Sequence, residues 1–156
     1  MATSITALSD VEAVNRVLST VGGEKVASLS SLSFIADLAY QDLKNAMRDL
    51  MSHPWGFNTE YDVELTPSEN AITVASDIAN IDFAPANASS LDVIIRDDDG
   101  TRKLYDRKTH SFTAFTGGTY KATVTYYLDF EDMPEAAKMY AIGIAAVHFQ
   151  ATQIGN

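Results

Sequence analysis

Apolar residues recur at helical spacing near both ends of the chain and at alternate positions in its middle. The first helical stretch begins at Ser9, which forms the sequence pattern of a capping box with Glu12, and it ends at Gly22 and Gly23. A second helix is predicted to end just before Pro54. Its apolar positions, spaced three or four residues apart, are Ile35, Ala39, Leu43, Met47 and Leu50.

The last stretch, residues 134–154, predicts a long helix with two neighbouring apolar stripes. The first stripe contains Ala137, Tyr140, Ile144, Val147, Ala151 and Ile154. The second stripe contains Met139, Ile142, Ala146, Phe149 and Gln153. One small domain seldom covers so much apolar surface, so we expect one stripe in the core and the other against a second subunit. The pattern does not decide which stripe is inner; our hypothesis places Tyr140 and Ile144 in the core and the second stripe at the subunit interface.

Between these helices the hydrophobic period changes to two. The stretch FNTEYDVEL, residues 57–65, alternates between apolar and polar positions and predicts a half-buried strand. The inward positions are Phe57, Thr59, Tyr61, Val63 and Leu65. The outward positions are Asn58, Glu60, Asp62 and Glu64. We therefore expect the three acids to share one face of this strand.

Further apolar segments predict the rest of the sheet. They are Ile72–Val74, Ile78–Phe83, Leu91–Arg96, Lys103–Asp106 and Tyr120–Leu128, with turns at DDDGT and TGGTY and a polar segment, APANASS, before Leu91. The predicted fold class is α+β. A helical bundle of two N-terminal helices (9–53) and a long C-terminal helix (134–154) carries a mostly antiparallel β-sheet (57–130) inserted between them, in a single domain of residues 1–156.

The composition is that of one globular domain held together by packing. The chain has 156 residues, 46% of them hydrophobic, which is enough for one sizeable core. There is no cysteine, so disulfides and thiolate metal sites are excluded. The N-terminus does not read as a secretory signal, and no apolar run approaches the roughly 18 to 20 residues of a membrane span. We expect a soluble protein that does not insert into a membrane.

The charge is negative overall and unevenly distributed. A net charge of −10 argues against a protein that grips nucleic acid by neutralising phosphates. Residues 60–99 hold ten acids and one base, whereas residues 100–121 hold five bases and one acid. Two solvated loop faces would explain this, and so would a subunit that meets its copies head to tail, acid to base. On the second interpretation the candidate interface residues are Arg102, Lys103, Arg107 and Lys108.

No pattern in the sequence predicts a metal, cofactor or catalytic site. The run Asp97–Gly100 suggests a calcium loop, but such a loop needs an acid where Ile95 stands, so a hairpin turn is the better interpretation. His53, His110 and His148 are scattered, and none has a second ligand at metal spacing.

Glu60, Asp62 and Glu64 are the nearest approach to a catalytic pattern, because a paired-carboxylate catalyst needs two acids close together. A solvated row of acids is far commoner than a paired-carboxylate catalyst. The nucleophile elbow, the phosphate loop and the dinucleotide fingerprint are all missing from the sequence.

Four segments in this order resemble one protein family. They are AVNRVLSTVG (13–22), HPWGFNTEYDVEL (53–65), LYDRKTHSF (104–112) and DFEDMPEAAKMYAIGIAAVHF (129–149). Together they resemble tail tubular protein A, the head-to-tail adaptor family of short-tailed phages of the Autographiviridae type. The resemblance is collinear from about residue 10 onward, and it depends on the four segments jointly because each alone is weak.

The resemblance implies a structural virion protein and not an enzyme. Members of the family form a dodecameric ring between the portal protein and the tail nozzle (tail tubular protein B), with genome DNA passing through the lumen and tail fibres anchored nearby. For such a conduit, carboxylates on the wall would repel phosphates, and our hypothesis for these is Glu60, Asp62 and Glu64. Family members typically carry further residues after the last helix, so contacts of that C-terminal arm are not carried over to this sequence.

Two other functions remain compatible with the sequence. One is a virion-associated polysaccharide-degrading enzyme that uses the carboxylates of residues 60–64, and the other is a monomeric module that binds a fibre. Neither alternative requires a cofactor.

Overall fold

The computed structural model describes residues 4–84 and 90–154. The chain forms two compact units, a helical unit within residues 1–50 and 128–156 and a strand unit of residues 51–127. Among the described residues the order is two helices, five strands and a long last helix, which confirms the α+β class. Residues 85–89 of the predicted APANASS loop lie outside the described residues. The single domain of residues 1–156 stays a prediction.

Helix α1 (Asp10–Ser19) begins and ends as the local sequence predicts. The Ser9 hydroxyl accepts a hydrogen bond from the Glu12 N–H, and the Ser9 N–H donates to the Glu12 carboxylate at 2.9 Å, which confirms the capping box. At the other end, Gly22 has φ +70°, and the Gly23 N–H donates to the Leu18 carbonyl at 3.0 Å. These bonds satisfy carbonyls that the end of a helix leaves free, and only glycine adopts that φ without strain.

Helix α2 (Phe34–Met51) buries three of its five predicted inward positions, Ala39, Leu43 and Leu50. Its buried residues are Ala36, Ala39, Leu43, Ala46 and Leu50, spaced alternately by three and four, and Met51 at its end. Ile35, predicted to be inside, is exposed, and Met47 is half-buried. The difference arises because the alanines at positions 36 and 46 take the contact side, where small side chains allow close packing.

Helix α3 (Glu135–Ile154) follows a short 3₁₀ turn (Phe130–Asp132) and is tied to the N-terminal segment at its first turn. The Leu8 N–H donates to both oxygens of the Glu135 carboxylate, at 3.2 and 3.3 Å. The Lys138 ammonium donates to the Leu8 carbonyl at 3.1 Å and pairs with Glu135 at 3.1 Å. Lys138 is almost fully buried, and its charge is accommodated because these oxygens and the Phe130 ring surround it.

The strand unit contains two antiparallel sheets. Strands β1 (Thr59–Leu65), β5 (Tyr120–Tyr126) and β2 (Ile78–Phe83) form one sheet in the order β1-β5-β2, and β3 (Val93–Asp98) with β4 (Thr101–Asp106) forms a hairpin. The predicted strand Ile72–Val74 is instead a short segment whose residue 73 makes an isolated bridge to β4. Apolar side chains from these elements form one core: Ile72, Val74, Ile81, Phe83, Leu104, Phe115, Ala122 and Val124.

The DDDGT sequence forms the β3–β4 hairpin turn, as predicted. Asp99 and Gly100 both have positive φ, +52° and +82°, which is the backbone of a two-residue hairpin turn. The Asp97 carboxylate accepts a hydrogen bond from the Gly100 N–H at 2.8 Å. The carboxylate therefore stabilises the turn.

Strand β1 departs from the predicted alternation because it contains a β-bulge. The pairing with β5 shifts between Glu60 and Val63, and Asp62 adopts φ +57°. Tyr61, predicted to point inward, is 73% exposed. Asn58, predicted to point outward, is buried, and its side-chain amide lies among backbone carbonyls at the end of the sheet. A bulge changes the face of every residue on one side of it, so a simple period of two fails here.

Candidate subunit interface

An apolar stripe of α3 is exposed on the helical unit. Val147 is 71% exposed, Ile154 64% and Tyr140 59%, while Ile144 is exposed to a smaller degree. These residues belong to the first stripe of the sequence pattern, and with Ala151 they follow the alternating spacing of one helix face. The stripe extends over residues 140–154, about 21 Å at 1.5 Å per residue.

Two residues of the second stripe of α3 lie in the core, so the expected assignment of the two stripes is corrected. Ile142 and Phe149, predicted at a subunit interface, are buried within the helical unit, where α3 packs against α1. Ala146 is half-buried, and Met139 is exposed with its sulfur 3.2 Å from an Arg16 guanidinium nitrogen. Of the apolar residues predicted at this interface, Met139 and Ala146 therefore stay available.

The reversal has a physical reason in the small residues of α3. The buried side carries alanine at every fourth position, at 137, 141 and 145, followed by Phe149. Such a ridge of small side chains lets a neighbouring helix approach closely. In the sequence, the large apolar residues of both stripes are equally prominent. The alanines of this ridge do not stand out as a buried face.

Most of the predicted basic interface residues make contacts within the strand unit. Arg102 donates to the carbonyls of residues 75 and 78, at 2.6 and 2.7 Å. Lys103 pairs with Asp98 at 2.7 Å, and Arg107 pairs with Asp92 at 2.6 Å. The Lys108 ammonium makes no ion pair with any residue that the structure describes. Of the four predicted bases, Lys108 is thus the one whose charge is most open to a partner.

The turn that carries Lys108 is held by the buried carboxylate of Asp106. Asp106 accepts hydrogen bonds from the Asp92 N–H at 2.8 Å, from the Thr109 N–H at 2.9 Å, from the Thr109 hydroxyl and from the Lys108 N–H. Burial alone would raise the pKa of the Asp106 carboxyl, but these donors outweigh it and lower the pKa to about 2. The carboxylate therefore stays ionised and keeps its hydrogen bonds to the turn.

The three candidate channel acids are all exposed, but they do not share one face. Glu60 lies opposite Val124 of β5, and Glu64 lies opposite Lys121. Val124 and Lys121 are three residues apart on one strand, so they point to opposite faces. The bulge at Asp62 causes the difference. As β1 is an edge strand of its sheet, the acids lie along an edge and not on a single face.

A groove with an apolar floor and an acidic rim lies on the helical unit. Its volume is about 350 Å³. The floor is formed by Leu43, Met47, Leu128 and Phe130. The rim carries the carboxylates of Asp10, Asp129 and Glu131, and Lys44, whose ammonium lies 4.4 Å from the centre of the Tyr40 ring. Sequence reasoning missed this groove because the three acids come from segments more than a hundred residues apart.

No metal or membrane feature emerges from the described part of the chain. No group of three or more His, Asp or Glu side chains there could hold a metal ion. Of the three histidines, His148 on α3 lies 3.0 Å from the Asp42 carboxylate on α2. None of the helices in residues 4–84 and 90–154 has the length and apolar character to cross a membrane.

The chain matches a known protein family. A family model described as Tail tubular protein (Tube) matches residues 11–156. The match runs from the first turn of α1 through every strand and helix described above. No curated protein matches the chain.

Proposed function

Because the chain belongs to the tail tubular protein family, we propose that it is a head-to-tail adaptor that forms a dodecameric ring between portal and nozzle. Membership places the protein in the tail of a phage virion as a structural component. The ring, its position and its partners are the proposal. In this proposal the portal protein and the nozzle (tail tubular protein B) contact the ring, tail fibres are anchored on it, and DNA passes through its lumen.

The exposed apolar stripe of α3 is the observation that carries the proposal. Scattered apolar side chains are normal on a protein surface, but a continuous row along four turns of one helix marks an interaction surface. The opposite side of the same helix is packed in the core, so the core of the helical unit forms without the stripe. Contact with another subunit would remove it from water.

A ring also requires each subunit to use two different surfaces, since closed rings are built from head-to-tail contacts. The stripe is one such surface. The uneven distribution of charge along the chain supports a second contact, one between acidic and basic surfaces.

The acidic character of the chain suits passage of DNA without binding. With a net charge of −10, the ring would repel phosphates rather than collect them. We propose that the edge of β1, with Glu60, Asp62 and Glu64, lies near the lumen. Because the bulge divides these acids between two faces, the proposal concerns the strand edge. Their positions relative to the axis of an assembled ring test it.

Native mass spectrometry, alone and with the portal protein, tests the ring. We expect a dodecamer for the wild type and loss of the dodecamer for Val147→Asp, whose charge falls in the stripe. The matched control is Gln153→Asp, which adds the same charge about 120° around the helix from Val147. A wild-type protein that stays monomeric with portal present would refute the ring. Normal assembly of Val147→Asp would show that the stripe is not the contact that holds the ring together.

The two alternatives lead to different results. An enzyme using residues 60–64 would lose turnover on an envelope polysaccharide after substitution of these acids, while assembly continued. This alternative is less well supported, because Glu60 and Glu64 point to opposite faces and do not form a facing pair. A monomeric fibre-binding module would show no ring mass under either condition.

A further inference from the structure

We propose that the acidic groove of one subunit receives the basic turn of a neighbouring copy, a contact that rests on the ring assembly proposed above. The acidic groove is the one lined by Asp10, Asp129 and Glu131 over its apolar floor. The basic turn is residues 107–110, between β4 and β5. This is a second contact between neighbouring subunits, in addition to the exposed stripe of α3, and it joins two different surfaces as a closed ring requires.

The groove has the chemistry of a site for a long basic side chain. Its apolar floor suits the methylene stem of such a side chain, and its rim suits the charged end. The groove is lined by three acids and one base, Lys44, whose ammonium already lies over the Tyr40 ring. The Asp10 and Glu131 carboxylates each accept one hydrogen bond from a nearby backbone N–H. The Asp129 side chain makes no capping hydrogen bond in the 3₁₀ turn that follows it, so its carboxylate is not used locally.

The basic turn has a backbone held by hydrogen bonds and a charge that remains available. Asp106 holds the backbone N–H groups of Lys108 and Thr109, which fixes the turn before any partner arrives. Arg107 is occupied by Asp92, so the ammonium of Lys108 remains as the available charge. The four residues of the turn are all exposed, and His110 at its end adopts φ +55°.

A second copy of this chain fits the groove better than an unrelated basic protein. The groove belongs to the helical unit and the turn to the strand unit, so they are two different surfaces of one sequence. Complementary surfaces of this kind form the head-to-tail contact of a ring, each subunit giving one and receiving one. Their opposite charges also favour the correct orientation over a face-to-face encounter.

Two charge reversals and their mixture test the contact. Lys108→Glu places an acid on the turn, and Asp129→Lys places a base on the rim of the groove. Each variant alone is expected to require at least about tenfold higher protein concentration for ring formation, because like charges then meet at every contact. Mixed in equal amounts, the two variants are expected to form alternating rings at nearly the wild-type concentration, since each contact again joins opposite charges.

The control is Lys25→Glu, which makes the same change of charge at another exposed position and should assemble as the wild type does. Circular dichroism of each monomer checks that the fold is kept. Wild-type rings together with unimpaired single variants would overturn the contact while leaving the adaptor ring intact. Failure of the mixture to restore assembly would also overturn it. If Asp129→Lys weakened only the binding of portal, the groove would belong to a basic segment of that protein and the inference would be wrong. A wild-type protein without rings would count against the proposed function itself.

Discussion

Asn58 provides the most direct test of how the strand unit is held together. Its side-chain N–H groups point at three backbone carbonyls, those of Met51 at 2.9 Å, Tyr126 at 3.1 Å and His53 at 3.3 Å. Its side-chain oxygen accepts from the Trp55 N–H at 2.8 Å. One buried amide thus joins the segment before β1 to the last residue of β5.

Asn58→Asp keeps the shape of this side chain and reverses its hydrogen bonding. The donors are replaced by an oxygen that faces carbonyl oxygens in a buried site. Each buried group left without a partner costs about 1 to 3 kcal/mol, and an unpaired buried charge costs more, so we expect a loss of about 3 to 5 kcal/mol near pH 8. The pKa of the new carboxyl in the folded state should therefore lie above its unfolded value of about 3.9.

The sign of the pH dependence follows from the difference between the two pKa values. A carboxyl with a raised folded pKa destabilises the protein increasingly as pH rises from the unfolded pKa to the folded one, by about 1.4 kcal/mol for each pH unit between them. At lower pH the protonated carboxyl can donate one hydrogen bond to a carbonyl. The variant should therefore be closer to the wild type at about pH 5.5 than at about pH 8.

Urea unfolding at both pH values, followed by the fluorescence of the single tryptophan, Trp55, measures the difference. Asn80→Asp is the matched control, because Asn80 is exposed on β2 and should change stability by less than about 0.5 kcal/mol. Equal stability losses at the two pH values, or a loss no larger than that of the control, would show that the buried amide does not have the role described.

Three further predictions follow from the same structure. Phe149→Ala should lower the monomer's free energy of unfolding by about 3 to 5 kcal/mol, because Phe149 is fully buried. Val147→Ala should change it by less than about 0.5 kcal/mol and weaken assembly instead. If urea titration of the monomer gave the opposite order, the sequence-based assignment of the stripes would be restored. Asp106, with its pKa lowered from 3.8 to about 2, should contribute about 2 kcal/mol that is present above about pH 4 and is lost as pH falls toward 2; in Asp106→Asn this part of the acid titration of stability should disappear. If residues 1–156 form a single cooperative domain, Trp55 fluorescence from the strand unit and far-ultraviolet circular dichroism, dominated by the helices, should show coincident unfolding transitions, and separate midpoints would contradict it.

Features that depend on neighbouring residues were predictable from the sequence. The Ser9–Glu12 capping box and the Asp99–Gly100 hairpin turn both appear where the pattern places them. Each involves hydrogen bonds between residues a few positions apart, so the required chemistry is already complete within a short segment. The same holds for the existence of all three helices, whose apolar periodicity is strong over many residues.

Other features depended on what a segment packs against. Both stripes of α3 are apolar, and only packing within the helical unit decided that Phe149 is inside and Val147 outside. The buried side of α3 contains alanines, which contribute little hydrophobicity but determine how closely two helices approach.

The β-bulge of β1 and the acidic groove also depend on residues distant along the chain, so local sequence patterns did not predict them. The alternation of FNTEYDVEL predicts one register, but pairing with β5 adds a residue at Asp62 and sends Tyr61 into solvent. The groove joins carboxylates from α1 and from the segment before α3, which nothing local connects. The sequence alone thus determined the family, the fold class and the local caps and turns, because these are recorded in short-range patterns. Which faces are buried, and which charges remain available, was decided only by the tertiary structure, because burial depends on partners distant along the chain.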